Sequence, residues 1–195
     1  MTIEGRFPYN RPAVLSDGGR TGRPRKERVA PGAFNFTIED EDRDIHFLAG
    51  HSFDRPLASK RSGTLTFRDT ATALTMAATI TPAILRAGYA QDTVAQVESG
   101  LVTGLSPGFR MPPERAVPRE EAEDVEEEPD RPAEGMNAAL IRTIKQAILV
   151  EFSIVTRPAY PEAQVEARCW QPQRVRQLAD LMPRIHRHAL RRWRA

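Results

Sequence analysis

The chain has 195 residues, enough for one domain with appendages and for a core that needs no disulfide staples. Hydrophobic residues make up 40% and charged residues 28%, and the net charge is only +2, so the chain as a whole is not a polycation built to coat nucleic acid. All but three of its 28 basic residues are arginine, a skew that fits either bidentate anion chemistry or a GC-rich coding bias. Cys169 is the only cysteine, which excludes an intrachain disulfide. No apolar run is long enough to span a bilayer, and Met1 to Asn10 has no signal-peptide core. The expectation is a protein of the reducing cell interior that needs no cofactor or metal.

In chain order, the first marked segment is Arg20-Thr21-Gly22-Arg23-Pro24-Arg25-Lys26, which has the look of a minor-groove hook and offers DNA binding as one reading. Ile45, Phe47 and Ala49 alternate with His46, Leu48 and Gly50, predicting a strand that ends at His51; Ser52 to Leu57 then reads as a loop. Ser62–Arg68 and Thr72–Ile80 predict a hairpin, and 82–99 one or two helices broken near Gly88. Leu101–Ser106 and Phe109–Met111 read as extended. Residues 112–135 carry ten acids against three arginines and predict a disordered acidic linker. Two apolar segments follow, 139–147 and 148–155. From 167 to 195, arginines surround Val175, Leu178, Met182, Ile185 and Trp193 at helical spacing, predicting a basic amphipathic helix kinked at Pro183. The order is a β-rich α+β pattern, not a repeating βαβ one.

Three residues could carry chemistry. Gly104-Leu105-Ser106-Pro107-Gly108 satisfies the G-x-S-x-G elbow of α/β-hydrolases, but Pro107 has no N–H to offer an oxyanion there, and the downstream histidines, His186 and His188, lie in the basic tail. Ser106 is thus either a nucleophile between small neighbours or part of a Ser-Pro-Gly turn. Glu151 interrupts an otherwise apolar strand, where an unpaired carboxylate would cost several kcal/mol, so it requires a cationic or hydrogen-bonding partner. His51, at a strand end, is either a general base or a histidine satisfied by backbone. Ser106, His51 and Glu151 together fit nucleophile, base and orienting acid. His46, on the opposite face of its strand from the strand end at His51, is not a candidate.

Four segments in order resemble the tailed-phage (caudovirus) prohead serine protease family, itself similar in fold to the herpesvirus assemblins. They are Pro31-Gly32-Ala33-Phe34; His51 with Arg55-Pro56-Leu57-Ala58-Ser59; Gly104-Leu105-Ser106-Pro107-Gly108-Phe109; and Glu151-Phe152-Ser153-Ile154-Val155-Thr156-Arg157-Pro158-Ala159. The resemblance spans about residues 27–166. It implies an assemblin-like antiparallel β-barrel with inserted helices, a protease domain over 1–166 and the tail 167–195. It also implies an endopeptidase that cleaves scaffold, or the scaffold-like arm of the major capsid protein, and itself, inside an immature phage head in a bacterial cytoplasm. Ser106 would be the nucleophile, His51 the base and Glu151 the acid, with Asp54 a rival acid, since the family usually has Asp or Asn directly after the histidine. Because Pro107 stands where the family usually has an aliphatic residue, the oxyanion and substrate neighbourhood falls to Gly104, Gly108, Phe109 and Arg157. Self-association is a further expectation; a membrane or specific nucleic-acid partner is not. The competing reading is a catalytically inactive capsid-assembly or scaffold protein.

Overall fold

The computed structural model describes residues 1–168 except 21, 132, 134 and 135. Strands β1 (Thr2–Pro8), β2 (Ala13–Ser16) and β3 (Arg25–Val29) precede a short helix α1 (Asn35–Glu39). Then come β4 (His46–Ala49), β5 (Ser52–Ser59), β6 (Leu65–Asp69) and β7 (Ala73–Thr79), a 3₁₀ turn at Ile84–Arg86 and helix α2 (Gly88–Glu98). β8 (Gly104–Arg110), α3 (Arg119–Ala122), β9 (Glu123–Glu127), β10 (Asp130–Arg131), β11 (Met136–Asn137), β12 (Leu140–Ile144), β13 (Ile148–Val155) and β14 (Gln164–Arg168) complete the order. The hairpin β6–β7 and the interrupted helical stretch are those the sequence predicts.

Eight strands form a nearly closed, barrel-like sheet in the order β5-β4-β13-β8-β14-β1-β7-β6. The chain is β-rich α+β, as expected, but the sheet is mixed: β4 runs parallel to β13, with Glu151 opposite His46 and Phe152 opposite Phe47. The inner face holds an aromatic cluster in which Phe7 touches Tyr160 (4.9 Å between ring centroids), Phe34 and Phe152. Phe34, brought by the segment ahead of α1, also packs on Phe109 of β8. The aromatic plug fixes β1, β8 and β13 relative to each other.

A β-bulge decides which way the functional strand faces. Leu149 opposes Phe109 and Glu151 opposes Gly108, leaving Val150 as the extra residue. The Leu149 N–H donates to Thr37 Oγ1 of α1 (3.1 Å), a buried bond that stabilises the distortion. Regular alternation would put Leu149 and Glu151 on one face. The bulge inverts the phase, so Leu149, Phe152 and Ile154 join the core while Glu151 and Ser153 turn to the outer face.

A second sheet, β2-β3-β12-β9, corrects the expectation of a disordered acidic linker. Residues 119–131 of that segment are folded as α3, β9 and β10. The acids find partners that a local reading of the sequence does not reveal. Glu126 takes a hydrogen bond from Arg28 (3.0 Å), Glu127 from Arg23 (3.0 Å) and Glu128 from Lys26 (2.5 Å), all reaching across β12. The basic segment read as a minor-groove hook thus has Arg23 and Lys26 spent on the acidic strand. On the face opposite Glu126, Arg142 bridges two buried carboxylates, Glu27 and Glu123; Arg119 adds a second cation to Glu123, and the Tyr160 hydroxyl donates to Glu27 (2.7 Å). That last bond ties the second sheet to the loop after β13. Burial disfavours the charged form of Glu123, yet the hydrogen bonds and charges of Arg119 and Arg142 outweigh it and hold the carboxyl below its ordinary pKa. The tail helix expected over 167–195 lies, from residue 169 onward, outside the described residues.

Replacing the bridging cation, Arg142→Met, leaves Glu123 with Arg119 alone and Glu27 with the Tyr160 hydroxyl alone. The expected cost is about 2–3 kcal/mol at pH 7, below that of a fully buried pair because the guanidinium is partly exposed. Urea unfolding measures it. The stabilisation from Glu123 is complete above the unfolded carboxyl pKa and is lost as pH falls through the lower folded value, so the gap between the two proteins should narrow below about pH 4.

Candidate active site

The outer face of β13 and β8 carries Glu151 and Ser153 on one strand and Gly104, Ser106 and Gly108 on the other. Ser153 pairs directly with Ser106, and Glu151 with Gly108. Two neighbouring serines therefore share the face, and their hydroxyls differ. Ser153 is fully buried, with its Oγ donating to Glu151 Oε2 (2.6 Å) and accepting from the His51 N–H (3.0 Å). The Ser106 hydroxyl makes no hydrogen bond among the described residues.

His51 arrives from the neighbouring hairpin. Ala49 pairs with Ser52, so Gly50 and His51 are the two central residues of the β4–β5 turn, and both have positive φ, 65° and 60°. That is the signature of a type I′ turn, which matches the right-handed twist of the strands it joins. Glycine adopts this conformation without cost, whereas His51 does so under mild strain. The turn brings the His51 imidazole back over β13, where Nδ1 lies 2.7 Å from Glu151 Oε1. The expectation that His51 closes a strand and opens a loop is corrected in detail. It lies within the turn, and Ser52–Ser59 is strand β5 with a bulge that throws Phe53, Asp54 and Arg55 outward between its pairs to Ala49 and Leu48.

The environments of the pair are unequal. The Glu151 side chain is 6% exposed and the His51 side chain 47%. A carboxylate in its ionised form only accepts, so a neutral imidazole in this bond places its proton on Nδ1 and leaves the lone pair on Nε2. No protein group among the described residues hydrogen-bonds Nε2. Asp54, the rival acid, is exposed and makes no contact with His51 Nδ1. His46 shares the face of Glu151 rather than opposing the site, because His51 lies beyond the strand; its ring instead stacks edge-on against Phe53 (5.9 Å), with Asp44 at 3.8 Å.

Two glycines are required by close approach. A Cβ on Gly108 would stand 2.7 Å from Glu151 Cδ, inside contact distance, so only glycine leaves room for the carboxylate. A Cβ on Gly104 would meet Pro158 Cδ at 2.6 Å and the Val155 carbonyl oxygen at 2.7 Å, so the segment carrying Arg157 lies directly on β8 two residues ahead of Ser106. The remaining neighbourhood residues fare differently. The Leu105 N–H points away from β13 and donates to the Ala163 carbonyl just ahead of β14 (2.9 Å), so by strand alternation the peptide groups of Ser106 and Gly108 face β13 and the Gly108 N–H belongs to that ladder. Phe109 is three residues, about 10 Å of extended chain, from Ser106. The same alternation points the nitrogen of Pro107 away from β13, which is why a proline is tolerated inside this strand.

A sequence model of the caudovirus prohead serine protease family matches residues 17–177. The chain belongs to that family. It is a serine peptidase of phage prohead maturation, acting on capsid-related substrates. No protein of curated function and no solved structure matches the chain. The matched stretch of this prohead protease contains the His51 turn, β8, β13 and both partners of the charge-paired second sheet. Among the described residues no cluster of histidine, cysteine and acidic side chains could hold a metal ion, and no helix is long and apolar enough to cross a membrane.

The Gly108 contact yields a direct test. Gly108→Ala should displace the Glu151 carboxylate from His51 and lower peptidase activity by about a hundredfold, while the backbone ladder keeps the protein folded. Activity assayed beside a circular dichroism melt separates the two effects.

Proposed function

We propose that Ser106 is the nucleophile, His51 the general base and Glu151 the orienting acid of a serine endopeptidase that cleaves scaffold, or the scaffold-like arm of the major capsid protein, and itself, within the immature head. The observation that carries this reading is the 2.7 Å contact between His51 Nδ1 and the buried Glu151 carboxylate. It fixes the tautomer that a base needs, with Nε2 free to accept the Ser106 proton as Oγ attacks the scissile carbonyl. The imidazolium that forms is stabilised by the carboxylate, and its proton then passes to the leaving amine. Water repeats the sequence to release the acyl group from Ser106.

The segment around Arg157, pressed against Gly104, is the group best placed to supply the oxyanion donor that Pro107 cannot. The protease domain is taken as 1–166 together with Ala167 and Arg168, which complete β14 against β1, with the remainder of 167–195 appended; self-association of this domain is part of the proposal. Among the described residues Ser106 and His51 share no hydrogen bond, and in the proposed mechanism substrate binding brings the two together.

Co-expression with the capsid protein tests the assignment. Ser106→Ala and His51→Ala should each abolish capsid shortening while the protease stays soluble. Glu151→Gln should cost less, roughly 10⁴-fold against roughly 10⁶-fold for the other two, because it loses orientation and charge but not the reacting groups. Continued cleavage by Ser106→Ala would sink the nucleophile assignment.

A further inference from the structure

The hydrogen bonds around Glu151 close on themselves. His51 holds Glu151 Oε1 through its ring, Glu151 Oε2 accepts from Ser153 Oγ, and Ser153 Oγ accepts from the backbone N–H of the same His51. We propose that Ser153 is a positioning residue of the peptidase: its hydroxyl locks the Glu151 carboxylate and the His51 backbone in one ring and so holds the imidazole over Ser106. The inference rests on the assignment of Ser106, His51 and Glu151 proposed above.

Three features support it. A hydroxyl has one proton to give and two lone pairs, so it can donate to the carboxylate and accept from the peptide at once; no apolar residue of this size does either. The ring joins a side chain and a main chain of one residue, and that residue holds an unfavourable positive φ. The bond from its N–H to Ser153 is therefore what keeps the turn at the height where Nδ1 meets Oε1. Ser153 is also fully buried and directly opposite Ser106 in the ladder, so its two bonds are shielded from bulk solvent. With Oγ engaged twice, Ser153 is excluded as a second nucleophile although it lies beside the first.

Without the hydroxyl, Oε2 would lose the one hydrogen-bond donor, and the His51 N–H the one acceptor, that each has among the described residues. The imidazole would then sample orientations in which Nε2 points away from Ser106. This lowers the rate of the chemical step without touching the surface where a ligand docks.

The test uses the full chain and a fluorophosphonate probe, which phosphonylates an activated serine and needs no knowledge of the natural cleavage site. Labelling rates at increasing probe concentration separate the maximal rate from the half-saturating concentration, and mass spectrometry locates the adduct. Ser153→Ala should lower the maximal rate about 10- to 100-fold with an unchanged half-saturating concentration. Ser153→Thr, which keeps the hydroxyl, should recover most of it. In a Glu151→Gln background, Ser153→Ala should add no more than about a twofold loss, because the ring is already broken. A maximal rate in Ser153→Ala within twofold of the unmodified protein would overturn the inference, as would an equal loss in both backgrounds or a Thr variant as slow as the Ala one with an unchanged melting temperature. Ser106→Ala separates this failure from that of the underlying assignment: undiminished labelling of that variant would refute Ser106 as nucleophile, whatever Ser153 does.

Discussion

A carboxylate buried in the middle of a sheet is the constraint from which the site is built. Glu151 is as enclosed as the core residues around it, and an ionised group so placed is tolerable only if each oxygen has a hydrogen-bond donor. The fold meets that demand with three separate devices. The bulge at Val150, stabilised by Thr37, turns Glu151 out of the apolar core. Gly108 leaves the space the carboxylate occupies. The Gly50-His51 turn supplies an imidazole to one oxygen and Ser153 a hydroxyl to the other. The arrangement that makes the buried acid tolerable is the same one that, in the proposed triad, leaves His51 Nε2 to serve Ser106.

Elsewhere the fold treats charge on the same principle but at lower cost. The acidic run 120–128 and the basic run 23–28 are about a hundred residues apart in the chain and meet across β12 as rows of ion pairs. The exposed members of these rows are worth little individually. The enclosed group of Glu27, Glu123, Arg142 and Tyr160 is another matter, because the Tyr160 hydroxyl reaches into it from the loop that follows β13. Tyr160 stands three residues after Arg157 in that loop, so the second sheet braces the segment that rests on Gly104.

Much of this was legible in the residues. Strict alternation located β4 and β7, the Gly88 break separated the 3₁₀ turn from α2, and the cost of an unpaired carboxylate demanded a partner for Glu151. What escaped was non-local. The acidic segment looked disordered because composition reports net charge and not the partners a parallel pairing of β3 with β12 brings within reach. The bulge escaped because an apolar run with one acid reads as a strand buried on both faces, and nothing in the run marks Val150 as the extra residue. Ser153 escaped for a similar reason: a serine beside a phenylalanine in such a run carries no sign that its hydroxyl will be held twice. The excluded His46 shows the limit of parity arguments, since they fail once the chain enters a turn.

The central claim is that a single imidazole is held by Glu151 on one nitrogen and serves Ser106 with the other. A crystal structure of the protein after reaction with a phosphonate inhibitor tests it most directly. The account predicts the phosphorus bonded to Ser106 Oγ, His51 Nε2 within about 3 Å of an oxygen of the adduct, and Nδ1 still on Glu151. An adduct on another residue, or an imidazole turned away from the adduct with its bond to Glu151 broken, would contradict it.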